Sequence, residues 1–146
     1  IVISRLAFHH FTDPEIVFKE MKRVLKTNGK LVVIDMIAND ISFRENADKI
    51  EAMRDNSHVK NLSLSEMRNL YFDNSVCLKT QEQTDMRVSL KDWMELTKVP
   101  EYTRTEISRL MLEDIGGRYA TGFSPYLNNN SIYFNQHWIF SLGIKQ

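Results

Sequence analysis

Two apolar runs separated by one amphipathic helix constrain the fold most strongly, and all three lie within the first 34 residues. The first run is Ile1-Val2-Ile3, which reads as a buried strand, and the second is the unbroken segment LVVI at residues 31–34. A run of this kind predicts a strand covered on both faces, as in a parallel sheet. Strand, helix and strand in so short a span predict a βαβ unit with a right-handed crossover.

The helix between the two runs is predicted over residues 14–27. Thr12-Asp13 supplies the cap, Pro14 suits the first helical position and Glu15 lies in the first turn, which are all signals of a helix start. The pair Asn28-Gly29 ends the helix. The apolar stripe that faces the core is predicted to comprise Val17, Met21, Val24 and Leu25.

The sharpest helix boundary lies further along the chain. Ser63-Leu64-Ser65-Glu66 is a capping box, and Leu62 and Met67 stand at the positions of a hydrophobic staple. A helix is therefore predicted from this box to residue 72. Another helix is predicted at residues 41–54, where the apolar spacing is helical at Phe43, Ala47 and Ile50.

Two more helices are predicted from cap residues that are followed by an acid three positions later. Ser89 and Thr103 are these caps, and Gly116-Gly117 ends the second helix. The segment from there to Asn128-Asn129-Asn130 is rich in turn residues and long for a plain connection. We therefore predict that it is a lid or a binding loop.

Two strands complete the pattern, at residues 76–88 and 132–144. The element order is then β-α-β-α-α-β-α-α-β, an α/β domain whose first two strands are parallel and whose later strands are antiparallel additions. No internal repeat or linker interrupts it. One face of the closing strand is predicted to carry the apolar residues Ile132, Phe134, Trp138, Phe140, Leu142 and Ile144.

Composition excludes several classes of function. Nineteen basic residues balance 19 acidic ones, so no overall field favours nucleic acid or an anionic membrane. No stretch approaches the roughly 20 apolar residues of a membrane span. Cys77 is the single cysteine, which excludes an intrachain disulfide and fits a reducing compartment. We expect a cytoplasmic protein.

Three segments, in order, resemble one family. Residues 1–11, IVISRLAFHHF, followed by Asp13-Pro14, resemble the fourth strand and the following loop of class I S-adenosylmethionine-dependent methyltransferases. Residues 20–35 resemble the family's RVLKPGG segment, which leads from a helix into the fifth strand, with Thr27-Asn28 in place of Pro-Gly. Residues 54–59, RDNSHV, resemble an RDPSHV motif of the branch that acts in ubiquinone and menaquinone biosynthesis.

The resemblance implies a partial Rossmann-like methyltransferase fold. The family's sheet runs 3-2-1-4-5-7-6, and residues 1–146 match strands four to seven. It therefore implies a mixed sheet in the order 4-5-7-6, with strand seven antiparallel and helices on both faces. On this interpretation the chain is the C-terminal, substrate-side portion of the domain. The family's glycine-rich cofactor loop and ribose-binding acid precede strand four and have no counterpart in this sequence.

The resemblance also implies an activity, the transfer of a methyl group from S-adenosylmethionine to a small molecule. Because the glycine-rich loop is missing, we expect the chain alone to bind the cofactor weakly or not at all and to be inactive. The alternative is a non-catalytic remnant or an interaction module. In the family strand four pairs with strand one, so we also expect residues 1–3 to form a bare sheet edge through which the chain makes a homodimer.

The first group of candidate site residues lies at the end of the first strand. The resemblance implies that Ser4, Arg5 and Phe8 lie beside the cofactor. His9 and His10 stand just past the carboxyl end of a parallel strand, where open α/β sheets bind ligands. We assign His9 to cofactor contact or to acting as a base, and His10 to the substrate. The alternative is that both shape the loop and bond to its backbone, and adjacent side chains are expected to point apart.

A second polar cluster, Arg54, Asp55, Ser57 and His58, follows a predicted helix. In a binding role Arg54 would hold an anionic or carbonyl group of the substrate, and His58 would be the catalytic proton acceptor. The alternative is that Asp55 and Ser57 cap turns while Arg54 pairs with Asp55 or a backbone carbonyl. We expect no metal site, because no carboxylate or cysteine is spaced to complete one with His9, His10 and His58.

The aromatic residues divide into two groups. Tyr119, Phe123 and Tyr126 lie in the long loop and are predicted to line a substrate pocket. Asp35 ends a buried strand, so its carboxylate is predicted to stay near the cleft and to accept hydrogen bonds from a loop. The residues assigned to the core are Trp93, Met94, Met111, Trp138 and Phe140.

Overall fold

The computed structural model describes residues 1–38 and 40–146. Within these residues the predicted α/β order is present with one addition, the short strand β4. Two 3₁₀ turns lie at Phe8–His10 and Ile41–Phe43. The helices and strands are β1 (Val2–Arg5), α1 (Pro14–Val24), β2 (Lys30–Ile37), α2 (Arg44–Arg54), α3 (Leu64–Asp73), β3 (Val76–Ser89), α4 (Leu90–Leu96), α5 (Glu101–Ile115), β4 (Tyr126–Asn128) and β5 (Ser131–Lys145).

The strands form one mixed sheet in the order β1-β2-β5-β3, with β4 paired to β5. β1 and β2 are parallel, from Val2 opposite Leu31 to Arg5 opposite Ile34. β5 runs antiparallel to β2, so that Lys30 lies opposite Ile144. Since β1, β2, β3 and β5 correspond to the family's strands four, five, six and seven, the predicted order 4-5-7-6 is confirmed.

The chain divides into two compact units, each with its own apolar core. Unit 1 comprises residues 1–38, 59–84 and 137–146, and unit 2 comprises the described part of 39–58 together with 85–136. The largest enclosed side chains of the unit 1 core are Phe8, Phe18, Leu31, Met67, Tyr71 and Ile139. Those of unit 2 are Ile50, Ile107, Met111 and Phe134.

Helix α1 begins where the sequence predicts but ends three residues earlier, at Val24. Leu25 leaves the helix with an extended backbone, and its side chain is buried in unit 1. The Lys145 ammonium then donates to the backbone oxygens of Lys22 and Leu25 at 3.0 and 2.7 Å, which satisfies carbonyls left open at the helix end. The buried face differs too: Phe18 is 0% exposed, whereas Val24 is 58% exposed.

The first strand is correctly predicted as a strand, but its burial is not. Ile1 and Ile3 are 76% and 57% exposed. β1 lies at the end of the sheet order and pairs with β2 alone among the described residues. An alternating pattern of exposure results along this strand, instead of the cover on both faces that an unbroken apolar run predicts.

Two helix starts in the second half have different outcomes. The Ser89 hydroxyl accepts from Asp92 N–H and caps α4, as predicted. The predicted cap at Thr103 is wrong, because α5 already begins at Glu101 after the extended residue Pro100. The Pro100 carbonyl accepts the first helical hydrogen bond from Arg104 N–H, so Thr103 lies inside the first turn. Gly116 ends the helix as predicted, with Gly117 at a positive φ of 71°.

The closing strand buries a different face from the one predicted in its second half. Ile139, Ser141 and Gly143 are buried in unit 1, whereas Phe140 and Leu142 are half-buried. Gly143 is required there because a Cβ at that position would lie 2.7 Å from both Tyr71 Cδ1 and Val76 Cγ1. The Tyr71 hydroxyl donates to the Ser141 carbonyl at 2.9 Å, and burial raises the pKa of this phenol.

Two further predicted features are confirmed. The capping box holds α3: Glu66 N–H donates to the Ser63 hydroxyl at 3.1 Å, and Ser63 N–H donates to the Glu66 carboxylate at 2.7 Å. Leu62 and Met67 are both buried in the core of unit 1, as a staple requires.

No α-helix in the described ranges has the length and apolar character of a membrane span.

Candidate functional site

The carboxylate of Asp35 organises the loop that follows β1. Its Oδ2 accepts the backbone N–H groups of Ala7 and Phe8 at 3.0 and 2.7 Å, and its Oδ1 lies 2.6 Å from His9 Nδ1. Met36 N–H also donates to Oδ1, at 2.8 Å. The prediction that Asp35 accepts hydrogen bonds from a loop is confirmed. Four donors on one buried carboxylate fix the course of the backbone from Ala7 to His9.

The fold explains why this carboxylate meets that loop. Arg5 on β1 lies opposite Ile34 on β2, so β1 ends in register with the residue before Asp35. Leu6 then turns with a positive φ of 52° while its N–H donates to the Ile34 carbonyl. Because the two strands are parallel, their carboxyl ends lie at the same sheet edge. The loop therefore crosses directly over the Asp35 side chain.

His9 is held on two sides and is 7% exposed. A carboxylate oxygen accepts hydrogen bonds, so the 2.6 Å contact with Asp35 directs His9 Nδ1 towards Oδ1 as a donor. The His9 backbone carbonyl accepts from Val59 and Lys60 N–H at 2.8 and 3.2 Å. These contacts fix the orientation of the His9 imidazole and of the backbone that carries it.

His10 differs from His9 in exposure. Its side chain is half-buried, and it lines a surface cavity of about 330 Å³ together with Thr12 and Asp13. The rings of the two histidines lie 4.0 Å apart between centroids, with planes tilted by 50°. The expectation that their side chains point apart is therefore wrong. The 3₁₀ turn brings the adjacent rings together, as an extended strand would not.

The remaining predicted cofactor residues lie along the same segment of unit 1. Ser4 is half-buried on β1, and Arg5 is exposed at the end of that strand with its guanidinium carbon 5.8 Å from the Trp138 ring centroid. Phe8 is 1% exposed and packs edge-on against Phe11 and Phe18. Core packing thus accounts for the Phe8 ring, while Ser4 and Arg5 stay accessible.

In unit 2, the side chain of Arg54 contacts Glu51 and Trp93. Its Nε donates to the Trp93 carbonyl at 3.1 Å, Nη1 lies 3.1 Å from Glu51 Oε2, and the guanidinium carbon lies 4.6 Å from the Trp93 ring centroid. Glu51 is 2% exposed. The alternative for Arg54, pairing with Asp55 or with a backbone carbonyl, is observed in its second form, and Glu51, one helical turn earlier, is an additional partner.

His58 is also buried against an acid, because its Nε2 lies 2.8 Å from Asp48 Oδ1. Asp55 forms the turn before it: its Oδ1 accepts from the N–H and hydroxyl groups of Ser57, and its carbonyl accepts from His58 N–H. The capping roles weighed for Asp55 and Ser57 are thus observed. The partner Asp48 was missed, although it lies on the same helix as Arg54, ten residues before His58.

The three aromatic residues of the long loop have different environments. Phe123 lies in the core of unit 2, with its ring 5.7 Å from Trp93 and 5.0 Å from Phe134. Tyr126 is exposed on β4 and stacks on Tyr133 at 6.2 Å. Tyr119 is half-buried. Of the predicted pocket residues, the two tyrosines are accessible, and Phe123 is a core residue.

Local contacts anchor the same loop. Thr121 donates both its N–H and its hydroxyl to the Asp114 carboxylate, and Phe123 N–H donates to the Thr121 hydroxyl. Asn46 Nδ2 donates to the Ala120 carbonyl at 2.8 Å. No group of three His, Cys, Asp or Glu side chains within residues 1–38 and 40–146 has the geometry of a metal site.

Parts of the chain are similar in sequence to known proteins. A family model described as a methyltransferase domain matches residues 1–33, which form β1, the histidine loop, α1 and the start of β2. The uncharacterized protein YafE of Escherichia coli K12 is 29% identical over 102 residues, covering 69% of this chain and 49% of YafE. The uncharacterized methyltransferase YcgJ of Bacillus subtilis is 29% identical over 101 residues, covering 68% of this chain and 40% of YcgJ.

Solved structures match almost the whole chain. BH2331 of Bacillus halodurans C-125 superposes with a TM-score of 0.88 at 23% identity, covering 99% of this chain and 68% of that protein. The chain has the fold of a class I methyltransferase. The crystal structure of B. subtilis YcgJ superposes with a TM-score of 0.85 at 26% identity, covering 99% of this chain and 62% of YcgJ. Together, the matches agree on a methyltransferase fold for residues 1–146.

The chain spans about half the length, 49% and 40%, of the two curated relatives it matches. The methyltransferase fold therefore applies to residues 1–146, and the activity of a longer protein that contains them is a proposal.

Proposed function

We propose that the protein containing this chain transfers a methyl group from S-adenosylmethionine to a small-molecule acceptor, and that these residues supply the substrate-side part of the domain. One observation carries the proposal. The segment that matches the methyltransferase model, residues 1–33, is the segment that ends β1 in a histidine loop tied to the buried carboxylate of Asp35. A ligand site at the carboxyl ends of parallel strands is the rule for open α/β sheets.

The residues present at the end of β1 fit one side of such a cofactor. Ser4 offers a hydroxyl and Arg5 an exposed guanidinium, and both groups can donate to a carboxylate or a hydroxyl. The backbone that follows is held in place by Asp35. When bound, S-adenosylmethionine would supply the methyl group. We propose Ser4 and Arg5 as contacts of its amino-acid end, and we omit Phe8 because its ring is enclosed in the core.

The two histidines receive different roles in this proposal. His9 is buried, and Asp35 holds its Nδ1, so it serves as a positioning residue that shapes the loop. His10 is more accessible, and its ring lies 4.0 Å from that of His9. We therefore propose that His10 contacts the methyl-acceptor substrate. If the methylated atom carries a proton, the histidine pair is where that proton is held.

In unit 2 the residues proposed to contact the substrate are Arg54, Tyr119 and Tyr126, and His58, which Asp48 orients, is the alternative to the histidine pair as the base. The Arg54 guanidinium already bonds to the Glu51 carboxylate and to the Trp93 carbonyl. These bonds favour a positioning role for Arg54 at the end of α2. Residues 54–59 also motivate the finer proposal that the acceptor belongs to the quinol type handled by the ubiquinone and menaquinone branch. The single cysteine, Cys77, leads us to propose a cytoplasmic location.

Turnover by the polypeptide extended upstream through its encoded residues tests this function. Formation of S-adenosylhomocysteine is measured with a naphthoquinol and a catechol as acceptors. We expect His10→Asn to lower kcat by roughly a hundredfold, within the range of acid–base contributions, and to leave the melting temperature unchanged. The His9→Asn variant should lose both turnover and stability. The matched control is Arg68→Gln, whose exposed side chain bonds to Gln81 on the surface of unit 1.

No turnover with any acceptor, together with no binding of S-adenosylmethionine, would reject the enzyme proposal. A second candidate function, an interaction module, would then stand. It is favoured by one observation, the exposure of Ile1 and Ile3 on the outermost strand. Apolar edges of this kind pair readily with another strand.

A further inference from the structure

A cavity of about 830 Å³ lies within unit 2, between α4, α5 and the turn that joins β4 to β5. Every residue that lines it falls between Ser89 and Ile132. Its volume is within the range of pockets that hold small organic ligands, roughly 300–1,000 Å³. None of the residues assigned above to methyl transfer lines this cavity.

The wall of the cavity is rich in cations. Lys91 comes from α4, Arg104 and Arg109 from α5, and Arg118 from the segment after α5. Arg109 is paired with two carboxylates, because Glu106 and Glu113 each lie 2.6 Å from its guanidinium. These two bonds also raise the pKa of Arg109. The positive charge of Arg109 is therefore more than offset by the two carboxylates of its own helix.

The other cations keep their charge available. Arg104 is half-buried, and its Nε donates to the Val99 carbonyl at 2.7 Å, which orients the guanidinium without neutralising it. Neither Arg104 nor Arg118 has a carboxylate within ion-pair distance among the residues that the structure describes. Lys91 is highly exposed, and its Nζ lies 4.0 Å from Glu95 Oε1, a longer separation than in the Arg109 pairs.

One carboxylate, Glu101, lines the cavity against these cations within the described part of the chain. Ser108 and Ser131 also line the cavity, and their hydroxyl groups can donate to an anion, whereas the Thr105 hydroxyl donates to the Glu101 carbonyl at 3.1 Å. Arginine presents a planar fork that matches the two oxygens of a carboxylate or a phosphate. The polar wall therefore favours an anionic group over a cationic one.

The remaining surface of the cavity is apolar. Leu90 and Met94 are buried beneath it, Ile132 is half-buried, and Leu112 is 47% exposed on α5. An exposed leucine beside unpaired arginines gives the cavity an apolar side and a charged side. A ligand that satisfies both has an anionic head and a short hydrocarbon body.

We propose that this cavity binds a small organic anion, with a carboxylate or phosphate head at Arg104 and Arg118 and an apolar body against Leu112 and Met94. The proposal does not rest on methyl transfer, since it concerns residues of unit 2 that the proposed reaction does not use. It applies equally to the 146-residue chain and to a longer protein that contains it.

Isothermal titration of the chain with three matched eight-carbon probes tests the proposal. Octanoate and octyl phosphate carry the anionic head, and 1-octanol carries the same body without charge. We expect one or both anions to bind with 1:1 stoichiometry and octanol to bind at least about tenfold more weakly, since hydrogen bonds to charged groups contribute more than neutral ones. The relative affinity of the two anions identifies the head group.

Substitutions locate the bound probe. Arg118→Gln changes an exposed side chain and should weaken binding of the preferred anion by roughly tenfold or more without changing the melting temperature. Arg104→Gln should do the same, and its circular dichroism melt reports any loss of the Val99 bond. The matched control is Arg87→Gln, which removes the same charge from unit 2 at a residue that stacks on Tyr133 outside the cavity. Its affinity should equal that of the unchanged chain.

Three results would overturn the proposal. The first is no heat of binding with either anion, and the second is an affinity for octanol equal to that of the anions. The third is an anion affinity that Arg118→Gln and Arg87→Gln lower by the same factor, which would indicate a general charge effect. Loss of methyl transfer in the extended polypeptide with unchanged octanoate binding would reject the proposed reaction and leave this site in place.

Discussion

Asp35 Oδ1 lies 2.6 Å from His9 Nδ1, while Oδ2 of the same carboxylate accepts two backbone N–H groups of the loop that carries this histidine. A single buried side chain on β2 thus fixes both the backbone and the imidazole after β1. Orientation of a reactive group by a second residue is how a site keeps its geometry before a ligand binds. The loop is therefore preorganised by contacts within unit 1 alone.

We predict that Asp35→Asn destabilises the chain by about 2 kcal/mol, because an amide cannot accept all of the hydrogen bonds that the buried carboxylate receives. Urea unfolding measures the change. The control is Asp73→Asn at the exposed end of α3, where the expected change is within about 0.5 kcal/mol. Equal free energies of unfolding for the two variants would contradict the role given to Asp35.

We predict that Gly143→Ala is destabilising by about 1–3 kcal/mol, because the added methyl group would overlap the Tyr71 ring and the Val76 side chain. Gly116→Ala is the matched control, since its Cβ would meet no atom closer than 3.4 Å and its φ of −80° suits alanine. Thermal or urea unfolding of both variants measures the difference. A stable Gly143→Ala variant would show that the contact with Tyr71 is looser than the structure indicates.

The capping box of α3 should make stability depend on pH in the acidic range. Burial alone would raise the pKa of Glu66, but hydrogen bonds from Ser63 and Lys60 outweigh it and lower the pKa to about 2 from 4.5. Because the pKa in the folded state is depressed, the contribution of Glu66 is fully present above pH 4.5 and is lost as the pH falls towards about 2. We expect the difference in unfolding free energy between the unchanged chain and Glu66→Gln to shrink over this interval.

The control for this pH series is Glu82→Gln, a change at an exposed residue of β3. Its difference from the unchanged chain should stay flat between pH 6 and pH 2. A Glu66→Gln difference that is equally flat would contradict the capping box as the cause.

We predict that the chain dimerises through β1, the strand that ends the sheet and exposes Ile1 and Ile3. Light scattering at rising concentration should show a dimer that Ile3→Lys returns to a monomer, because a charged side chain disfavours strand pairing at an edge. Ile16→Lys, which introduces the same charge at an exposed position on α1, should leave the dimer intact. A monomer at every concentration would reject the prediction.

Local signals predicted much of the fold. The Ser63 and Ser89 caps and the helix start at Pro14 depend on residues within one turn of each other, so their positions are readable from the sequence. The start of α5 was missed because the helix begins at Glu101, directly after Pro100, which places the residues of the cap signal at Thr103 inside the helix. The helix therefore starts before the position that the cap signal predicts.

Contacts between residues that lie far apart along the chain could not be predicted from the sequence. Trp93 lies 39 residues from Arg54, and the apposition of Gly143 and Tyr71 depends on the register of a strand against a helix. Asp35 was predicted as the end of a strand, but its four donors are set by the parallel register of β1 and β2. The burial of Phe8 likewise follows from the 3₁₀ turn, which directs its ring into the core.

Calorimetric titration of S-adenosylmethionine into the chain, beside the polypeptide extended upstream through its encoded residues, tests the central claim most directly. The proposed function predicts micromolar binding by the extended polypeptide, lowered by Arg5→Gln and unchanged by Arg68→Gln, and weak or no binding by the chain alone. Absence of binding by the folded extended polypeptide would contradict the claim that these residues form one side of a methyl-donor site.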